Sequence, residues 1–200
     1  MLQLLPTLSL LLSWITSGAL AIPLLELQLL QQLYTQTHGD QWIWRPKGPR
    51  WNFDAPNPNP CNTREMAWQG LTCSALPPDC VDANSSFCQI ARIDLDLRGL
   101  RGPFLANWSG FTRLLGLSVN ANNLTGPIPT VFPPSLGTLW LSRNSFTGTI
   151  PSQLALLPSI AIIHLEANAL VGTIPSAIGE LTTLRSLYLS QNRLSHPPYD

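Results

Sequence analysis

The stretch Leu114-Leu115-Gly116-Leu117-Ser118-Val119-Asn120-Ala121-Asn122-Asn123-Leu124-Thr125-Gly126-Pro127-Ile128-Pro129 decides the fold. It is one copy of a pattern, L-x-x-L-x-L-x-x-N-x-L-x-G-x-I-P, that recurs through the second half of the chain. Counted on the Asn column, the copies fall at Arg98, Asn122, Asn144, Asn168 and Asn192, spaced 24, 22, 24 and 24 residues apart. Three positions earlier stand Leu95, Val119, Leu141, Leu165 and Leu189; five earlier, Ile93, Leu117, Leu139, Ile163 and Leu187. Eight earlier come Ile90, Leu114, Leu136, Ile160 and Leu184, and two later Leu100, Leu124, Phe146, Leu170 and Leu194. Apolar columns that agree across every copy mark a solenoid of stacked coils, in which each coil buries its leucines against the next.

Each L-x-x-L-x-L segment reads as a short strand whose alternate residues point inward, so that successive strands stack as a parallel sheet on a concave face. The Asn column turns the chain out of the strand. A buried Asn amide has two donors and an acceptor to satisfy, and stacked asparagines meet that demand by bonding the backbone of adjoining coils. Arg98 cannot accept a hydrogen bond, so the ladder is expected to begin at Asn122 and continue through Asn144, Asn168 and Asn192. Gly102, Gly126, Gly148 and Gly172 point to a left-handed backbone or a close approach between coils. Pro129, Pro151 and Pro175, each after Ile, restrict the convex side to extended or short-turn geometry.

Toward the N-terminus, Leu24 to Thr35 reads as a helix with Leu27, Leu30, Leu33 and Tyr34 on one face. His38-Gly39-Asp40 ends it. Trp42, Trp44, Trp51 and Trp68 follow, with a proline-rich loop at residues 54–60. A solenoid exposes the core of its end coils and needs caps. Residues 22–89 are therefore assigned as the N-terminal cap, and residues 90–200 as about five repeats. The tryptophans are read as capping core, with ligand platforms as the rival reading. At the far end His196 replaces the repeat glycine, and three readings stay open: a self-capping repeat, a fragment of a longer chain, or a surface that pairs with a partner.

The chain has 200 residues, of which 11% are charged, and a formal net charge of zero. No cluster of Lys or Arg offers the basic face that nucleic-acid binding requires, so that class is set aside. Residues 1–21 read as a secretory signal peptide with an apolar core from Leu8 to Ile15 and small residues at Ala19 and Ala21. An uncleaved anchor helix is the alternative. Cys61, Cys73, Cys80 and Cys88 form an even set in an exported context, which points to disulfides. Three pairings are possible, and the sequential one, Cys61–Cys73 with Cys80–Cys88, closes the shortest loops. A zinc site is the rival reading, without the C-x-x-C spacing that favours it. Asn84, Asn107 and Asn123 begin glycosylation sequons. No cofactor or metal site is expected.

The segment Leu170-Val171-Gly172-Thr173-Ile174-Pro175 and its counterpart at residues 124–129 resemble the plant-specific class of leucine-rich repeats. The stretch Trp68-Gln69-Gly70-Leu71-Thr72-Cys73, with Cys61 before it, is similar to the C-x-W-x-G-V-x-C core of that class's N-terminal cap. The run from Leu33 to Trp42 resembles the L-Y-x-x-T-x-G-x-x-W opening of cap domains in microbial and protist relatives. The resemblance implies an α/β leucine-rich repeat solenoid, a right-handed superhelix with a parallel concave sheet and a disulfide-stabilised cap containing a helix. Its members include receptor-kinase ectodomains, receptor-like proteins and inhibitors of cell-wall polygalacturonases. The implied function is extracellular or cell-surface recognition of a protein, peptide or glycan. An extracellular structural or cell-wall scaffold, or an inhibitor of a secreted glycan hydrolase, is the alternative. Membrane anchoring is expected only if the signal stays uncleaved or the chain is a fragment.

A ligand would meet the outward residues of the concave strands. Four before the Asn column these are Asp94, Ser118, Trp140, His164 and Tyr188; two before, Asp96, Asn120, Ser142, Glu166 and Ser190; one before, Leu97, Ala121, Arg143, Ala167 and Gln191. Trp140, His164 and Tyr188 are expected to form an aromatic stripe flanked by Arg143 and Glu166, with Asp94 and Asp96 in the first coil. Exposed aromatics beside Arg are typical of binding hot spots, and an aromatic face also suits sugar rings. A solvated sheet with no ligand is the plain alternative. The pairs His164/Glu166 and Asp94/Asp96 arise from strand alternation alone. Neither has a nucleophile motif or metal spacing beside it, so no enzyme is expected.

Overall fold

A computed structural model of the chain describes residues 23–55, 58–61, 67–74 and 89–195. The signal segment, Asn84, Cys80, Cys88 and His196 lie outside the described residues, and with them the expected Cys80–Cys88 pairing. Helix α1 (Leu24–Gln36) opens the cap and buries Glu26, Leu27, Leu30 and Leu33 along one face. It runs one residue beyond the expected end. There Thr37 closes it, donating both its backbone N–H (3.0 Å) and its hydroxyl (2.7 Å) to the Leu33 carbonyl. His38 then turns through a left-handed conformation.

Strand β1 (Leu71–Cys73) pairs antiparallel with β2 (Ile90–Asp94), the strand of the first coil. From β2 the sheet continues in parallel through β4 (Gly116–Ser118), β6 (Thr138–Trp140), β8 (Ile162–His164) and β10 (Ser186–Tyr188). The register places Ile93 opposite Leu117, Leu117 opposite Leu139, Leu139 opposite Ile163 and Ile163 opposite Leu187. The apolar columns of the sequence are thus columns in space. In the first four coils their members are buried to 1% exposure or less. In the last coil Leu184, Leu187, Leu189 and Leu194 are only half-buried, since no further described coil covers them.

A second parallel ladder lies where the chain leaves the concave sheet. It comprises β3 (Arg101–Pro103), β5 (Asn123–Pro127) and β7 (Ser145–Thr147), followed by a separate pair, β9 (Val171–Gly172) with β11 (Arg193–Leu194). After Pro151 and Pro175 the convex side forms short 3-10 helices, Ser152–Leu156 and Ser176–Glu180. Prolines set the φ that starts each one. The glycines of the repeat all have φ between 77° and 94°. At Gly126 nothing lies within 4 Å of an added Cβ, so the backbone angle alone selects glycine there.

The asparagine ladder begins at Asn122. Its Nδ2 donates to Leu95 in the preceding coil and to Val119 in its own, both at 2.9 Å, while its Oδ1 accepts from the amides of Arg98 and Leu100. Asn144, Asn168 and Asn192 repeat the paired Nδ2 donations, and each receives one amide, that of Leu124, Phe146 or Leu170. Arg98 in the same column faces the cap instead. Its buried guanidinium donates to the Ile43 carbonyl and to Gln69 Oε1, each at 3.0 Å. Gln69 in turn accepts from the Arg45 amide and donates to the Gly48 carbonyl. A donor-only side chain at this position therefore fastens the cap to the first coil.

Trp42, Trp51 and Trp68 are buried with Phe53, and Tyr34 packs against this cluster. The indole N–H groups of Trp42 and Trp51 donate to the carbonyls of Thr37 and Gln69. Trp44 is half-buried and packs beside Trp42. Cys61 and Cys73 form a disulfide. Gly70 has φ +83°, and an added Cβ would collide with the Asp94 carbonyl, which accounts for the glycine in the cap motif. Glu26 Oε2 accepts the Ile90 amide at 2.8 Å, tying the helix to the start of β2.

Candidate recognition surface

The concave strands bring the outward residues into straight columns. Asp94 stands opposite Ser118, Ser118 opposite Trp140, Trp140 opposite His164 and His164 opposite Tyr188. The three rings stack along the solenoid axis. Trp140 and His164 have centroids 5.9 Å apart at 17° between planes, and His164 and Tyr188 are 4.2 Å apart at 15°. His164 also shares a 2.9 Å hydrogen bond with the Ser186 hydroxyl through Nε2. Tyr188 is 55% exposed, the most open ring of the three.

Stacking changes what the stripe offers. Both faces of His164 are taken by its neighbours, so a sugar ring cannot lie on it. The column presents ring edges to the groove, plus the outer face at each end, while Trp140 Nε1 is buried and His164 Nε2 is bonded to Ser186. Ring edges suit a polypeptide better than a stacked pyranose.

The first two coils are closed upon themselves. Asp96 Oδ1 accepts from the Ser118 hydroxyl and the Asn120 amide, both at 2.6 Å, and Oδ2 accepts from Asn120 Nδ2 at 3.2 Å. Asp96 thus spends its carboxylate inside the ladder. Asp94 is exposed, and its Oδ1 accepts from the Asp96 amide at 3.3 Å. Arg143 is exposed and lies past the end of β6, at φ 55°, in the left-handed turn shared by Leu97, Ala121, Ala167 and Gln191. It borders the groove from that turn instead of standing on the strand face. Glu166 is half-buried in the fourth coil, with Oε2 unpartnered. Sequence reasoning gave the columns; the division into a satisfied N-terminal half and an aromatic C-terminal half appears only in the structure.

A separate depression of about 570 Å³ lies away from this face, between residues such as Pro127, Thr149, Pro151, Gln153 and Thr173. It has no charged side chain in its lining. Among the described residues no three His, Cys, Asp or Glu side chains converge as metal ligands, and no helix is long and apolar enough to cross a membrane. The sequon residues Asn107 and Asn123 are exposed, Asn107 in a tight turn closed by Ser109 and Asn123 on β5.

The family model of the leucine-rich repeat matches residues 135–157 and 183–200. A search of the curated proteins finds no match. Among solved structures the chain is similar to the BIR2 ectodomain of Arabidopsis thaliana, at 25% identity and TM-score 0.67, over 86% of this chain and 82% of that one. It is similar to PEPR1 in its structure with AtPEP1, at 25% identity and TM-score 0.66, over 86% of this chain and 22% of that one. A chain of the BIR3–SERK2 complex of Arabidopsis thaliana shares the fold, at 24% identity and TM-score 0.61, over 83% and 84% of the two chains. With the repeat register, the cap and these likenesses together, the chain carries leucine-rich repeats and is similar to plant leucine-rich repeat ectodomains.

Proposed function

We propose that this chain is a non-catalytic recognition module that binds an extracellular protein or peptide through the C-terminal half of its concave face. The observation that carries this reading is the stacked column Trp140–His164–Tyr188, set beside Arg143 and Glu166 where the self-satisfied polar ladder ends. His164 and Tyr188, stacked at 4.2 Å, are already held against each other and lose little side-chain entropy on binding, and large aromatics beside Arg dominate binding energetics elsewhere. The Cys61–Cys73 disulfide supports an oxidising, extracellular setting. Two of the similar structures, BIR3–SERK2 and PEPR1–AtPEP1, are complexes by their titles, which supports a protein or peptide partner over a glycan.

The test is a binding screen of the purified chain against extracellular proteins and peptides, followed by the variant Trp140→Ala/Tyr188→Ala. Affinity is expected to fall by about a hundredfold or more, the loss of two hot-spot rings. Undiminished affinity in the double variant would place recognition elsewhere on the molecule.

A further inference from the structure

Three buried side-chain polar atoms without a hydrogen-bond partner sit on one part of the concave face: Trp140 Nε1, Ser142 Oγ and Glu166 Oε2. Ser142 follows Trp140 by two residues, just past the end of β6. Ser142 and Glu166 hold the same repeat position in adjacent coils, whose strands pair with Trp140 opposite His164. Buried polar groups are nearly always paired, so such a grouping is unusual.

The neighbouring coils show what is missing. Along this column Asp96 Oδ2 accepts from the Asn120 amide group at 3.2 Å, and Asn120 Oδ1 accepts from the Ser142 backbone N–H at 2.9 Å. A carboxamide thus bridges a carboxylate to the next coil. The chain of bonds stops at Ser142, which is 4% exposed and too short to reach across to Glu166.

We propose that Trp140, Ser142 and Glu166 form a subsite for a primary carboxamide, the side chain of Asn or Gln in a peptide lying along the groove. This rests on the recognition reading above and specifies its ligand. An indole N–H only donates, an ionised carboxylate only accepts, and a hydroxyl does either. A carboxamide complements all of them: its NH2 donates to Glu166 Oε2, and its carbonyl accepts from Trp140 Nε1–H and the Ser142 hydroxyl. An ammonium or guanidinium has no acceptor for Trp140, and a carboxylate meets Glu166 with like charge. The atoms are covered in the free chain, so the Trp140 ring turns aside on binding. Its 5.9 Å contact with His164 is the looser of the two ring contacts, and rotamer changes of this kind are common at interfaces.

The experiment follows the indole N–H resonance of Trp140 in the isotope-labelled chain, assigned with Trp140→Phe. The probes are acetyl-Ala-Gln-Ala, its Glu, Lys and norleucine counterparts, and methyl glucoside. A saturable shift is expected with the Gln peptide and binding weaker by about tenfold or more with the others. Glu166→Ala and Ser142→Ala should each remove that preference while the other indole resonances keep their positions. An equal or larger response to the Lys peptide or the glucoside, or no response to any probe, overturns the carboxamide subsite. The recognition reading answers to a different measurement. A macromolecular partner sensitive to the Trp140/Tyr188 double variant keeps that reading alive even where the Gln peptide fails.

Discussion

The carboxylate of Glu26, on the cap helix, accepts the backbone amide of Ile90, the first residue of the first concave strand, at 2.8 Å. Its other oxygen has no partner, and the residue is 1% exposed. Burial raises its pKa from 4.5 to about 7, with the Ile90 hydrogen bond opposing the shift. The folded state therefore holds a proton that the unfolded chain releases between these two values. Stability contributed by this group is fully present below pH 4.5 and is lost as pH rises through about 7. The ceiling is about 3 kcal/mol, at 1.36 kcal/mol per unit. Glu26→Gln keeps an acceptor for Ile90 and removes the titration. Urea denaturation across this pH range should show a shallower decline in the variant than in the parent, and parallel curves would refute the assignment.

The ladder makes a second expectation positional. Asn144→Ala removes donors to Val119, Leu141 and Ser142 and the acceptor for the Leu124 amide. Leaving such groups unpaired inside the stack should cost about 3 kcal/mol in chemical denaturation. Asn192→Ala deletes equivalent bonds in a coil whose leucines are half-buried, and of the freed carbonyls those of Leu189 and Ser190 lie in that more open coil. Its cost should be clearly smaller. Equal losses at both sites would mean that the ladder does not act through burial.

Two repeat glycines separate backbone angle from crowding. Gly126 has φ +86° and open space around it, so Gly126→Ala should cost about 1 kcal/mol, the price of the angle alone. Gly102 has φ +94°, and an added Cβ would lie 2.9 Å from the Gln36 carbonyl oxygen of the cap helix. Gly102→Ala should destabilise more, and hydrogen exchange should localise the damage to the helix–repeat junction.

The leucine columns were legible because each is required in every coil, so the pattern repeats wherever the physics does. The cap was legible from its tryptophans and from the cysteine pair that closes it. The second ladder was not, since β5 and β7 expose Asn123, Thr125 and Thr147, and no apolar alternation marks them as strands. Nor was the left-handed turn before each Asn, which Leu97, Ala121 and Arg143 occupy without any shared side chain. Glu26 read as an ordinary polar residue and Arg98 only as a break in the Asn column, until their partners, 64 and 55 positions away, came within reach. At the candidate site, strand register predicted that Trp140, His164 and Tyr188 would align. It could not tell that their faces would close on one another, because ring orientation depends on rotamers that the column does not encode.

That turn has a further consequence. Leu97, Ala121, Arg143, Ala167 and Gln191 all hold φ between 53° and 58°, a region that costs a residue with a Cβ roughly 1–2 kcal/mol. A coil standing by itself would bear this penalty without any compensating bond from an adjacent layer. Intrinsic unit energies are then unfavourable and nearest-neighbour coupling is strongly favourable, the condition under which a linear array melts as a block. High cooperativity is thus written into the one residue per layer that the backbone treats worst.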